Sequence, residues 1–132
     1  MPTANEEPAH RFADAITRCD RDAAVAVCHP EIEFRSVLGI SGRAYAGHDG
    51  IRRYLDDVES AWDEWRVEVE RVSEGPDGRV AILMTMHARG KESGAALAER
   101  TGHVWTLRDG RLLRNEPYRD AERAFRAIGL SA

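Results

Sequence analysis

Gly102-His-Val-Trp-Thr-Leu-Arg-Asp-Gly-Arg-Leu-Leu-Arg-Asn-Glu-Pro-Tyr118 is the stretch that decides the fold class. From Gly102 to Leu107 the residues alternate, placing His103, Trp105 and Leu107 on one strand face. Asp109-Gly110 is the residue pair of a tight hairpin turn, and Arg111 to Tyr118 runs back as a second strand. Upstream, Val80 to Ala88 is the most apolar strand candidate and Gly90 to Gly94 a loop. Pro76-Asp77-Gly78 is a turn in which proline presets one dihedral and glycine supplies the positive one. Trp65, Val67, Val69 and Val72, with charges between them, predict a strand that is wet on one face. Four strands joined by short turns therefore form a meander. A helix from Asp120 follows, carrying Ala121, Ala124, Phe125 and Ile128 and stopping at Gly129.

The front of the chain reads differently. Residues 1–8 are polar, contain two prolines and predict a loose, flexible N-terminal tail. Ala9, Phe12, Ala13, Ile16 and Cys19 recur at helical spacing. Asp20 and Asp22 cap a second short helix that Pro30 is expected to end. Ile32 to Ser36 alternates as a strand, and Gly39, Ser41 and Gly42 mark a turn. Ile51, Tyr54, Leu55, Val58 and Trp62 fit one face of a third helix, with Asp49 as its N-cap. Helices in front and a meander behind predict one α+β domain over residues 9–130. A strongly curved antiparallel sheet wrapped around helices leaves a cavity suited to a small molecule.

Composition narrows the function classes. The 132 residues are 42% hydrophobic and 32% charged, an ordinary single globular domain. The formal net charge is −4, and arginines are interleaved with acids, as in residues 52–66. That pattern is a solvated mixed-charge face, so no nucleic-acid partner is expected. No apolar run is long enough to span a bilayer, so no membrane partner is expected. No secretory segment opens the sequence, and a cytoplasmic location follows as the default. Cys19 and Cys28 read as reduced thiols rather than a disulfide or metal pair. His10, His29, His48 and His87 lack paired ligand spacing, so no metal is expected. Neither a phosphate-cradling glycine loop nor a dinucleotide fingerprint is present, and no cofactor is expected.

Several segments carry a resemblance: Asp20-Arg-Asp22-Ala, Pro30-Glu-Ile32, Tyr45-Ala-Gly47-His-Asp49-Gly50-Ile51-Arg-Arg-Tyr54, Val104-Trp105-Thr-Leu107-Arg-Asp109-Gly110-Arg, and Tyr118-Arg-Asp120-Ala-Glu-Arg-Ala124 closing on Gly129-Leu130. Over nearly the whole chain they resemble SnoaL-like proteins of the nuclear transport factor 2 and ketosteroid isomerase superfamily. The resemblance implies a cone-shaped α+β fold of the cystatin-like kind, a pocket at its open end and commonly a homodimer. Ketosteroid isomerases place an aspartate base, a donor tyrosine and a protonated aspartate where this chain has Ser36, Phe12 and His103. The aspartate–arginine–aspartate relay of limonene epoxide hydrolases falls on Met84, Met86 and Pro117. Neither mechanism carries over, because the fold hosts many chemistries.

His103 remains the candidate catalytic residue. A partly buried imidazole titrates near neutrality and moves protons or polarises a carbonyl; the plainer alternative is a core histidine satisfied by one partner. Asn115 is expected on the same face as Pro117, to hold a substrate carbonyl or a backbone group. Ser36 is a possible donor to a ligand. Phe12, Trp62, Met84, Met86 and Trp105 form a soft apolar set, either core or the wall of a site for a flat hydrophobic ligand. Two functions follow as expectations. One is a cofactor-independent isomerase, cyclase or dehydratase acting on a small hydrophobic carbonyl compound, such as a polyketide or terpenoid. The other is a non-catalytic ligand-binding or dimerisation module. Ala81, Leu83 and Thr85 alternate with the inward set, so the 80–88 strand reads as apolar on both sides. A second subunit is the expected cover of its outer face.

Overall fold

Turn chemistry sets the strand connections. Asp109 and Gly110 both adopt positive φ, 54° and 75°, the combination a two-residue hairpin needs to match strand twist. Gly78 takes φ 86° and donates to the Gly75 carbonyl at 3.1 Å, closing the Pro76-Asp77 turn. A computed structural model describes residues 1–36 and 43–131. The order is α1 (Glu7–Thr17), α2 (Arg21–Ala26), β1 (Cys28–Arg35), β2 (Ala44–Ala46), α3 (Gly47–Ala61), β3 (Trp62–Glu74), β4 (Val80–Gly90), β5 (Ala96–Arg108), β6 (Arg111–Tyr118) and α4 (Ala121–Ala127). The expected turn at Gly39, Ser41 and Gly42 lies outside the described residues.

All six strands join one curled, unclosed sheet in the order β2-β1-β6-β5-β4-β3. Neighbours are antiparallel except β1 and β6, which run parallel. The α+β class expected from the sequence is therefore the class observed. Irregular registers in β3 and at Thr106/Leu107 bend the strands. On the concave face, Phe12, Ala13 and Ile16 of α1 and Ile51, Tyr54, Leu55 and Val58 of α3 share one core with Phe34, Ile82, Met84, Met86 and Trp105. α4 lies on the opposite face, where Ala121, Ala124, Phe125 and Ile128 cover Ala81, Leu83 and Val104. The double burial of β4 is thus met within one chain by α4, and Thr85 instead bonds Glu70. The feature that pointed to a second subunit has an internal explanation.

Other departures from the sequence reading have local causes. α1 starts at Glu7, and the residues ahead of it are bonded to the end of β3. Thr3 Oγ1 donates to Glu74 at 2.6 Å, Asn5 Nδ2 donates to it at 3.2 Å, and the Glu74 N–H donates to Glu6 at 2.9 Å. α2 ends before Pro30, which lies inside β1 where pairing with β6 is irregular between Cys28 and Glu33. A residue without an N–H is tolerated at such a gap. Asp49 does not cap α3. The cap is Ala46, with no side-chain bond, and Asp49 sits in the first turn. Gly47, at φ 71°, lets the chain leave β2 for the helix three residues early. Trp62 is extended at φ −125° and ψ 133° and opens β3, because its pairing with Gly90 continues the ladder. β2, three residues long, is too short for alternation to reveal.

Outside the core, Arg21 joins Asp56 and Glu59, and Arg52 meets Asp22. Such pairs tie α2 to α3 with modest energy. No helix of the described residues is long and apolar enough to cross a membrane.

The seat of α4 depends on Gly102. A Cβ there would lie 2.4 Å from the Ala121 carbonyl oxygen. Gly102→Ala is expected to lower stability by about 1–3 kcal/mol, measured by urea denaturation. Unchanged stability would show that α4 does not pack at that distance.

Candidate functional site

Between α1 and the concave face lies a cavity whose wall includes Phe12, Ser36, Tyr54, Met84, Met86, His103 and Trp105. Alternation along β5 turns Thr101, His103 and Trp105 inward, while Val104 turns toward α4. Six of the eight side chains singled out from the sequence line this one cavity: Phe12, Ser36, Met84, Met86, His103 and Trp105. Asn115 stands behind His103. Trp62 is elsewhere, stacked on Trp65 at 6.5 Å beside a surface groove shared with Cys19 and Lys91.

The interior was expected to be hollow, and it is largely filled. The cavity offers about 20 Å³ to a water-sized sphere, room for about one water molecule. The Phe12 ring meets Trp105 edge-on at 5.3 Å and Phe34 at 5.5 Å, and Phe34 meets Tyr54 at 4.7 Å. Aromatic side chains from α1, α3, β1 and β5 thus converge where a guest was expected.

His103 is 2% exposed and Asn115 1%. Asn115 Oδ1 accepts from the Arg35 N–H at 2.7 Å, and its Nδ2 donates to the Arg35 carbonyl at 2.9 Å. Those two bonds admit only one orientation of the amide. The second Nδ2 hydrogen faces His103 Nδ1 at 3.3 Å, so Nδ1 must accept. The proton of the neutral ring then sits on Nε2. That atom is buried without a partner among the described residues, on a side chain that lines the cavity. Burial pushes the His103 pKa down to about 4, because the charged ring would lose its water. At neutral pH the ring is uncharged and one nitrogen is committed to Asn115. The other nitrogen is then a neutral N–H donor, not a base. No carboxylate lines the cavity among the described residues.

The remaining candidates divide between site and framework. Ser36 is buried at the cavity wall, and its N–H donates to the Arg43 carbonyl at 3.2 Å. Tyr54 is buried and lines the cavity; burial raises its pKa. Tyr45 donates to Asp57 at 2.6 Å, a surface clasp. Cys28 is buried and its thiol is pushed up to about 12, leaving it unreactive at neutral pH. The sequence reading missed Thr101, which is 1% exposed with a hydroxyl lacking a partner among the described residues. Its position two residues before His103 on an alternating strand was the available signal.

Residues 9–115 match the family model of the SnoaL-like domain. No curated protein matches the chain. Among solved structures, an NTF2-like protein of unknown function from Burkholderia pseudomallei K96243 is similar at TM-score 0.77 and 22% identity, covering 96% of this chain and 98% of that one. TerC, co-crystallised with polyporic acid, is similar at TM-score 0.75 and 24% identity with the same coverage of 96% and 98%. A candidate polyketide cyclase from Pseudomonas putida KT2440 is similar at TM-score 0.72 and 17% identity, covering 89% of this chain and 91% of that one. At these identities the structures share the fold.

Two measurements probe the His103 environment. The folded pKa lies below the ordinary 6.5, so the unfolded chain takes up the proton first. The stability tied to neutral His103 is complete above pH 6.5 and is lost as pH falls toward 4. The loss should be about 1.4 kcal/mol per pH unit. A His103→Phe variant should lack this component when denaturation midpoints are compared across that window; parallel profiles would contradict the depressed pKa. Asn115→Asp removes the donor facing Nδ1 and supplies an acceptor. Tautomer-sensitive ¹⁵N NMR should then show the proton moved to Nδ1 and the pKa raised. An unmoved proton would mean that Asn115 does not set the tautomer.

Proposed function

This chain belongs to the SnoaL-like domain family, and on that footing we propose that it binds a small, largely apolar carbonyl compound inside the cone. His103 Nε2–H donates to the carbonyl oxygen. The observation that carries this reading is the buried Nε2–H, without a partner among the described residues, on a side chain of a cavity wall that is otherwise mostly apolar. An unpaired buried donor costs about 1–3 kcal/mol, and a ligand acceptor relieves that penalty. The tautomer set by Asn115 makes the role polarisation rather than proton abstraction. A neutral donor in a dry site strengthens as charge develops on the oxygen, which suits isomerisation, cyclisation or dehydration without a cofactor. The ligand co-crystallised with TerC and the presence of a candidate polyketide cyclase among similar structures support a flat, oxygenated guest.

The filled interior sets a condition on binding. Ligands of ordinary size occupy sites of about 300 Å³ or more, so Phe12, Met84 and Met86 must move aside as the guest enters. Methionine adapts to such exchanges because its chain is unbranched and polarisable. The same small volume, with no carboxylate on the wall among the described residues, favours a second reading in which the protein binds its ligand without transforming it.

Flat aromatic ketones are expected to shift the His103 Nε2–H resonance and raise the Tm of the wild-type protein. His103→Phe should weaken their binding by about tenfold, the loss of one hydrogen bond. Ketones that bind both proteins equally, or neither, would overturn the proposal.

A further inference from the structure

Two buried side-chain polar atoms lack a partner among the described residues: His103 Nε2 and Thr101 Oγ1. Native interiors leave few such groups, and each calls for a physical cause. These two are not scattered. They occupy successive inward positions of β5, where alternation puts residues two apart on one face. Their cross-strand partners on β4, Ile82 and Met84, both line the cavity. Thr101 is also the first β5 residue beyond the pairing with β6, which ends at Gly102 and Tyr118. Thr101 does not itself line the cavity, but its cross-strand partner Met84 does, so a guest that displaces Met84 would reach its hydroxyl.

A threonine with no bonding role at a site 1% exposed is less favourable than valine of nearly the same shape, since its hydroxyl is desolvated for no return. No neighbouring side chain on the concave face compensates. Met84 is apolar, and the Asn115 amide is committed to Arg35 and His103. What relieves one orphan relieves the other if a single guest spans both.

We propose that Thr101 is a second ligand-binding residue, and that the guest carries two oxygen functions. One is an acceptor held by His103 Nε2–H, and the other is a hydroxyl or carbonyl held by the Thr101 hydroxyl. Successive same-face strand positions are about 6.5–7 Å apart along the strand, so the two oxygens must stand well apart on the guest, as they do on a para-oxygenated ring. A histidine donor accepts any ketone; the added threonine selects for the second oxygen. This inference rests on the carbonyl-binding reading and sharpens it by naming the substrate class.

Acetophenone and 4-hydroxyacetophenone differ only in the second oxygen, so their Kd values, obtained by protein-observed NMR titration, separate the two claims. The wild-type protein should bind 4-hydroxyacetophenone about tenfold tighter than acetophenone. Thr101→Val should abolish that preference while leaving the acetophenone Kd unchanged, and Thr101→Ser should retain it. Loss of an orphaned hydroxyl should leave the Tm of ligand-free Thr101→Val equal to or above wild type, so a folding defect would itself count against the proposal. If acetophenone binds through His103 but the hydroxyl adds nothing, or if Thr101→Val keeps the preference, the role of Thr101 falls and the carbonyl reading stands. If neither ketone binds the wild-type protein, both fall.

Discussion

The site depends on one amide. Asn115 clasps both backbone groups of Arg35 at the end of β1, beyond the last paired residues of the parallel β1·β6 ladder at Glu33 and Arg114. A side chain there does the work of a ladder hydrogen bond and holds the end of β1 against β6. Because the clasp uses one donor and one acceptor, it also orients the amide, and the orientation dictates which nitrogen of His103 bears the proton. A structural fastening and a chemical specification are the same set of bonds. Burial adds the second constraint by keeping the imidazole neutral across physiological pH.

The sheet carries two cores. α1 and α3 fill its concave side and α4 caps part of its outer side, so β4 is apolar in both directions without a partner subunit. Gly102 makes the outer core possible. Its missing side chain lets the start of α4 approach β5 closely, one residue away from His103 on the opposite face. Packing on the outside therefore bears on the strand that presents the donor inside.

Filling of the cone changes how the chemistry is understood. A wall with a permanently open pocket would select guests by shape alone. Here the aromatic cluster around Phe12 closes the space to about one water, and any guest would have to replace contacts the protein makes with itself. Such a site favours ligands that offer more than apolar surface, because displaced packing is roughly matched by new packing. On the proposed reading, a guest would satisfy the polar atoms on β5 that have no partner among the described residues.

The four helices, every strand but the short β2, the hairpin turns and the inward set of Phe12, Met84, Met86, His103 and Trp105 were legible in the sequence, because alternation, helical spacing and turn residues are local signals. Tertiary structure alone decided the remainder. The cover over Ala81 and Leu83 comes from a helix about forty residues later in the chain. Trp62 left its helix because a ladder to Gly90 captured it. The role of His103 turned on a bond to Asn115 and, through it, to Arg35, eighty positions from Asn115. Local pattern tells which way a side chain faces; the proton it carries and the space left beside it depend on groups that only folding brings together.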